Sequence, residues 1–308
     1  MSDGTPPCHP PRRPRPGQGR PSRRHEARMS AETTSPEDAA PADPATPVAG
    51  TVATPPAPDT ARRYLDAVTA LLTRVRDEEA VPGGPVERAA RLLAATVTEG
   101  GRIFAFGAGH SSLIAQDLVY KAGGLALVNL LTVPGTLGVD VRPATLGSAL
   151  ERVEGLAGTV LDQSPAAPGD LLVIISLSGR NVLPVEMAVR AREKGLKVIG
   201  VTSAAYAGHS VPANPWNSFL AEHCDVVLDN KITVGDAELS GDGIAAPFGP
   251  ASTAVTSALL QATTATAAAL LAAEGTEPPL LRSGNVPGGL EWNKEVFARH
   301  RERIHYQH

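Results

Sequence analysis

Two stretches of serine and glycine hold the residues best suited to grip an anion: Gly107-Ala108-Gly109-His110-Ser111-Ser112 and Ser176-Leu177-Ser178-Gly179-Arg180-Asn181. Glycine lets a backbone approach a ligand closely, and serine hydroxyls with the free amides at the start of a following helix supply donors. In the first stretch Gly109, Ser111 and Ser112 are the candidate anion ligands, and the His110 imidazole can donate to a hydroxyl or shuttle a proton. In the second, Ser176, Ser178, Gly179 and Asn181 take the same part, and the Arg180 guanidinium favours a doubly charged head group. The carboxylates that could take a proton from carbon are Glu154, with Glu151 as the fallback; Glu186 is a candidate substrate contact that equally suits the first turn of a helix.

The same residues argue against other chemistries. No Gly-Lys-Ser/Thr exists to hold a triphosphate with magnesium, and a dinucleotide reading meets Ser112 at the third glycine and Asn129 in place of the ribose-binding acid. Cys8 and Cys224 lie too far apart for a disulfide framework, and no His, Cys, Asp or Glu cluster has metal-ligand spacing. Chemistry without metal or cofactor is expected.

The elements that position these loops follow from periodicity. Tyr64, Leu65, Val68, Leu71, Leu72 and Val75 recur at helical spacing over Thr60 to Glu79, and Ala89, Leu92, Leu93 and Val97 do so over Pro85 to Thr98. These predict a helical hairpin. Short apolar runs at Arg102–Phe106, Leu125–Leu131, Leu171–Ile175, Lys197–Thr202 and Asp225–Leu228 read as strands, the first and third running directly into the two serine-glycine loops. Helices are expected over Leu113–Ala122, Pro184–Lys194, Ala251–Ala273 and Trp292–Ile304. Strands alternating with helices give an α/β fold, a five-stranded parallel sheet covered by helices on both faces, and ligands of such sheets bind beyond the carboxyl ends of the strands.

An apolar strand, Ser176-Leu177-Ser178-Gly179, a helix with Ala188 and Ala191, and then Gly195-Leu-Lys-Val-Ile-Gly-Val-Thr-Ser203 resemble the signature of SIS (sugar isomerase) domains. The resemblance spans about residues 60 to 305 and implies a three-layer αβα sandwich whose second loop cradles the phosphate of a sugar phosphate. Members usually carry Thr and Glu where this chain has Asn181 and Leu183. Gly107–Ser111, Ser178–Asn181, Asp229-Asn230 with Gly235-Asp236-Ala237, Gly249–Thr253 and Asn285–Gly289 resemble a bacterial subgroup similar to N-acetylmuramic acid 6-phosphate etherases. Arg152-Val153-Glu154-Gly155 is similar to the segment in which those etherases carry a catalytic glutamate. The resemblance implies a phosphorylated amino sugar as ligand and a homodimer with sites near the subunit interface. Asn285-Val-Pro-Gly-Gly-Leu-Glu291-Trp-Asn293 reads as a helix start or as a segment that closes over a site, which makes Asn285 and Glu291 candidate substrate contacts.

Composition frames the function classes. The chain has 308 residues, 42% of them hydrophobic, and a formal charge of -4, so a core is expected and a nucleic-acid partner is not. Residues 1–57 are rich in Pro, Ala, Thr and Arg without apolar periodicity and read as a disordered tail before a domain at 58–308; Met29 is an alternative start. There is no apolar core of a secretory signal and no uninterrupted apolar run of roughly 18 residues, so a cytoplasmic protein without a membrane partner is expected. The leading expectation is an enzyme acting on an amino-sugar 6-phosphate such as N-acetylglucosamine 6-phosphate by removing a proton alpha to the carbonyl, elimination being favoured slightly over isomerisation. The alternatives are a non-catalytic sugar-phosphate sensor and, more weakly, a nucleotide-binding oxidoreductase. His209, His300 and His305 are expected on solvent.

Overall fold

The computed structural model describes residues 59–138 and 142–307; the predicted tail and its boundary lie outside the described residues. Helices α1 (Thr60–Glu78) and α2 (Pro85–Thr98) form the predicted hairpin. Strands β1 (Ile103–Gly107), β2 (Val128–Leu130), β3 (Leu171–Ile175), β4 (Lys197–Thr202) and β5 (Val226–Asp229) form one sheet of order β2-β1-β3-β4-β5, parallel throughout. Between them run α3 (His110–Leu118), α4 (Thr145–Leu150), α5 (Leu156–Gln163) and α6 (Val182–Glu193), and α7 (Ser252–Ala273) and α8 (Gly289–Arg299) follow β5.

The strands are apolar on both sides because each residue faces one of two helical layers. Ile103, Ala105, Val173 and Ile175 join a core with α1, α2, α3, α7 and α8. Their neighbours Phe104, Phe106, Leu172 and Ile174 join a second core with α5 and α6. The expected three-layer sandwich is thus observed. Helix α7 is long and apolar enough to cross a membrane, yet half of its apolar window is buried, and residues such as Val255, Leu259 and Leu260 belong to the first core.

Several boundaries differ from expectation for local reasons. The third helix starts at His110 instead of Leu113, because the chain turns immediately after β1; a Cβ on Gly107 would overlap the Ser111 carbonyl, so only glycine permits this turn. Residues 125–127, expected in a strand with 128–131, pair instead with the segment before α8: the Ala126 amide donates to Pro279 O (2.7 Å) and the Leu281 amide to Gly124 O (3.0 Å). The last helix runs from Gly289 to Arg299, and a 3-10 turn over Arg301–Arg303 follows. His305 is not on solvent but stacks on Phe104, with ring centroids 6.2 Å apart. His209 is exposed, whereas His300 is half-buried and burial pulls its pKa below the ordinary value. Asn129 is buried and clamps the C-terminal segment: its Nδ2 donates to Leu127 O and Arg303 O, and its Oδ1 accepts from the His305 amide.

A buried ion cluster fastens the hairpin to the far edge of the sheet. Lys231 Nζ lies 2.6 Å from Glu79 Oε1, 3.0 Å from Glu78 Oε2 and 3.1 Å from Asp229 Oδ2. The Lys231 and Glu79 side chains are only 8% and 6% exposed, so the pair is shielded from solvent. Burial alone would favour a neutral amine, but the carboxylates of Glu79, Glu78 and Asp229 outweigh it and hold the Lys231 pKa above its ordinary value. Replacing Lys231 with Met strands the Glu79 carboxylate, and the expected loss is about 3–5 kcal/mol. Urea unfolding followed by circular dichroism measures it; a loss below about 1 kcal/mol is inconsistent with a shielded cluster.

Candidate functional site

At the carboxyl edge of the sheet the two serine-glycine loops leave adjacent strands, with Gly107 the register partner of Ile175. They open into one cleft of about 810 Å³. Gly109, His110 and Ser111 line it from the first loop, and Ser176, Leu177 and Ser178 from the second. The remaining walls come from Ser148 and Glu151, from Tyr64 of α1, from Tyr206, Asn230 and Asp236, and from Ser252 and Thr253 at the start of α7.

The second loop is held by its carbonyls. Leu177 O accepts from Thr202 Oγ1 (3.0 Å) and the Ser203 amide (2.9 Å), Gly179 O from the Leu220 amide (2.7 Å), and Arg180 O from the Ala213 amide (2.9 Å) and Asn214 Nδ2 (2.8 Å). The two polar groups of a trans peptide point opposite ways, so these bonds turn the amides of Ser178, Arg180 and Asn181 away from their anchors. Glycine is required at 179: its φ is +58° and a Cβ would lie 3.0 Å from Thr202 Oγ1. The Ser111 and Ser178 hydroxyls line the cleft and have no hydrogen bond among the described residues. Ser176 Oγ accepts from the Gly179 amide (3.3 Å).

Among the described residues, those lining the cleft include no lysine or arginine. An anion would therefore meet neutral donors, the serine hydroxyls and the amides where α3 and α6 begin, an arrangement that uses the positive ends of helix dipoles. Asp236, though acidic, is spent on structure: its Oδ1 accepts from the Ala251 and Ser252 amides (both 2.9 Å) and its Oδ2 from Ser252 Oγ (2.6 Å), which caps α7. Glu151 differs. Asn181 Nδ2 donates to its Oε2 (2.9 Å), while Oε1 lies on the side of Gly109, 3.7 Å from where a Cβ there would stand.

Several candidate residues fall elsewhere. Glu154 is exposed and does not line the cleft, because the chain turns outward after Glu151 before entering α5. Glu186 is buried beneath the start of α5, where it accepts the Gly155 (3.0 Å) and Gly158 (3.2 Å) amides; its role is to fix that helix. Ser112 is buried, donates to Gly109 O (2.7 Å) and accepts the Gly138 amide (2.5 Å), so its hydroxyl is consumed in holding the first loop. Gly179, Arg180 and Asn181 shape the loop from behind instead of lining the cleft. The Arg180 Nε is buried without a hydrogen-bond partner among the described residues. Asn285 and Glu291 are exposed in the turn before α8 and its first helical turn, outside the cleft; Asn293 secures that turn through both polar atoms of Arg282's backbone (2.8 Å each). Among the described residues no group of His, Cys, Asp and Glu could hold a metal. Asn230, Asp236, Ser252 and Thr253, which line the cleft, fall within the family-like stretches of the sequence, but Tyr64, Ser148 and Tyr206 had no signal beyond ordinary helical or loop patterning.

The sheet order and paired loops are those of a SIS domain, and the family model described as SIS domain matches residues 63–203. The chain belongs to the UPF0309 family of proteins: it is 66% identical over 247 residues to the UPF0309 protein of Streptomyces coelicolor, covering 80% of this chain and 97% of that one. A UPF0309 protein of Brucella melitensis is 40% identical over 243 residues, covering 78% and 96%. Among solved structures, a phosphoheptose isomerase from Francisella tularensis aligns with a TM-score of 0.43 and 17% identity, over 68% of this chain and 96% of that one.

The partition of serines can be checked without knowing a ligand. Ser112→Ala leaves the half-buried Gly138 amide without its acceptor and is expected to cost about 1–3 kcal/mol in urea unfolding. Ser178→Ala removes a hydroxyl with no internal partner and should stay within about 0.5 kcal/mol of the parent. Equal effects of the two would contradict the assignment of Ser112 to structure and Ser178 to the cleft.

Proposed function

We propose that the chain is an enzyme that binds an open-chain amino-sugar 6-phosphate and removes the proton alpha to its carbonyl, with Glu151 as the base. The observation that carries the reading is the meeting in a single cleft of two hydroxyl-bearing loops and Glu151, a carboxylate not spent on a helix cap as Asp236 is. Ser111, Ser176 and Ser178 with the neighbouring free amides grip the phosphate, while the Gly109 amide is bound to Thr136 O (2.8 Å) and Gly109 serves only to let the backbone approach. That leaves the sugar's carbonyl end beneath Glu151, whose Oε1 has the free lone pairs.

Elimination is the preferred outcome. As the C2–H bond breaks, its proton passes to Glu151, the electrons form the C2–C3 double bond, and the C3 oxygen departs with a proton. Among the described lining residues the titratable side chains besides Glu151 are Tyr64, His110, Tyr206 and Asp236. Asp236 is spent on the α7 cap and Tyr64 donates to Pro250 O (2.7 Å), whereas Tyr206 accepts the Gly235 amide (3.0 Å) and keeps its own O–H, so His110 and Tyr206 are the two groups that can donate to the leaving oxygen, and we assign the task to His110 of the first loop. The amino-sugar preference rests on the etherase-like stretches. In an assembly of two subunits the exposed turn carrying Asn285 and Glu291 is the segment that would reach a neighbour's cleft.

The test is proton NMR in deuterium oxide with a panel of hexosamine and hexose 6-phosphates. Loss of the C2 proton signal is expected with an N-acetylated hexosamine phosphate, together with an ultraviolet-absorbing enone if elimination follows. Glu151→Gln should slow exchange at least about 100-fold, in the range of a lost general base, while Glu154→Gln leaves it unchanged. Saturable binding of the phosphates with no exchange by the parent protein would make the chain a sensor.

A further inference from the structure

Helix α4, which leads into Glu151, has no buried residue. Packing therefore cannot fix where the Glu151 carboxylate points. Two hydrogen bonds from the start of α6 do so instead: the Leu183 amide donates to Glu151 O (2.9 Å) and Asn181 Nδ2 donates to Glu151 Oε2 (2.9 Å).

The use of Asn181 is unusual for its position. It stands at the N-cap of α6 with extended dihedrals (φ -77°, ψ 164°), where an asparagine side chain ordinarily accepts an amide of its own first turn. Here it makes no such cap. The first-turn amide of Leu183 is satisfied from outside by the Glu151 carbonyl, which frees the Asn181 carboxamide to donate to the Glu151 side chain. Backbone and side chain are exchanged between the two segments, and the exchange fixes the orientation of the Glu151 carboxylate as well as closing the first turn of α6.

We infer that Asn181 is a positioning residue: it holds Glu151 Oε2 so that Oε1 faces the cleft, and it ties the exposed base-bearing segment to the loop that grips the anion. Asn181 ends that loop, three residues after Ser178 and one after Arg180, whose carbonyl is pinned by Ala213 and Asn214. An anion held by the loop thereby stabilises the position of the carboxylate through this side-chain bond, beside the backbone bond from Leu183. The inference deepens the proposed reaction and rests on it for its kinetic part, but the latch itself is a property of the protein alone.

The experiment uses the full chain with Asn181→Leu, which keeps the side-chain volume and removes the donor, and Asn181→Thr, which restores a donor that suits an N-cap. Amide hydrogen exchange over residues 145–151 is measured first, without ligand and with inorganic phosphate. Asn181→Leu is expected to speed exchange in this segment and to abolish any slowing by phosphate, while Asn181→Thr recovers part of both. In the C2 proton exchange assay with N-acetylglucosamine 6-phosphate, kcat of Asn181→Leu should fall about 10- to 100-fold, the scale of a misaimed catalytic group, with KM changed less than about 3-fold and the urea midpoint unmoved. Adding Asn181→Leu to Glu151→Gln should lower the rate no further. Equal amide exchange of residues 145–151 in parent and Asn181→Leu overturns the latch whatever the activity. A change in KM with kcat preserved also overturns it, by making Asn181 a direct substrate contact. If the parent turns over no sugar phosphate, the proposed reaction fails, and the amide exchange still decides the latch.

Discussion

Gly107 and Ile175 close neighbouring parallel strands in register, and everything at the cleft depends on that adjacency. The chain leaves β1, crosses to β2 on one side, and returns to β3 on the other, so the order β2-β1-β3-β4-β5 reverses direction between β1 and β3. At such a reversal the following loops diverge and leave a crevice. Loops that are nearly seventy residues apart in the chain thus become opposite lips of one opening. Shifting β3 by one residue would exchange Val173 and Ile175 with Leu172 and Ile174 between two fully formed cores. The register of the lips is therefore guarded by the whole hydrophobic content of the sheet.

The cleft shows how the protein divides its carboxylates. Glu79 neutralises a buried lysine, Glu186 receives two amides at the start of α5, and Asp236 caps α7 with three bonds. Each meets a positive partner or a helix N-terminus, the environments in which an ionised carboxylate is stabilised away from water. Glu151 has one donor, an uncharged amide, and one oxygen left over on the cleft side. Its partial satisfaction separates it from the structural acids more clearly than its place in the chain does.

Much of this was legible in the sequence, and the parts that were not share a cause. Apolar runs at 171–175 and 197–202 gave exact strands because a parallel strand buried on both faces has few alternatives, and Pro85 marked the start of α2 as its fixed φ suits the first helical position. Serine-glycine loops after strands located the cleft. Side-chain direction was the unreadable quantity. Ser111 and Ser112 differ by one position, yet one lines the opening while the other locks Gly138, and Glu151 and Glu154 lie on either side of an outward turn. Glu186, the fifth residue of α6, looked suited to a helix start and does serve one, but that of α5, a contact no spacing discloses. Helices α4 and α5 were missed because they are short and their burial is slight or depends on partners elsewhere in the chain.

The fold places its two tasks on parts of unlike rigidity. The groups proposed to grip an anion emerge from β1 and β3, whose residues are buried throughout, and the second loop is pinned by five bonds to β4 and the segment after it. The carboxylate emerges from α4, which packs against nothing deeply. A rigid grip sets where a ligand's head group sits, and a looser base can adjust to the carbon beneath it once that head group is held. Such a division works only if the loose part is referenced to the rigid one, since a displacement of about 1 Å at a reacting group costs on the order of 100-fold in rate. The two bonds between Glu151 and the start of α6 supply that reference: one, from the first turn of α6, fixes the backbone, and the other, from the last residue of the loop that would hold the phosphate, fixes the carboxylate. In the proposed reaction the base is thus registered against the head group through the loop that would bind it and the helix that follows, a shorter path than any running through the helical layers.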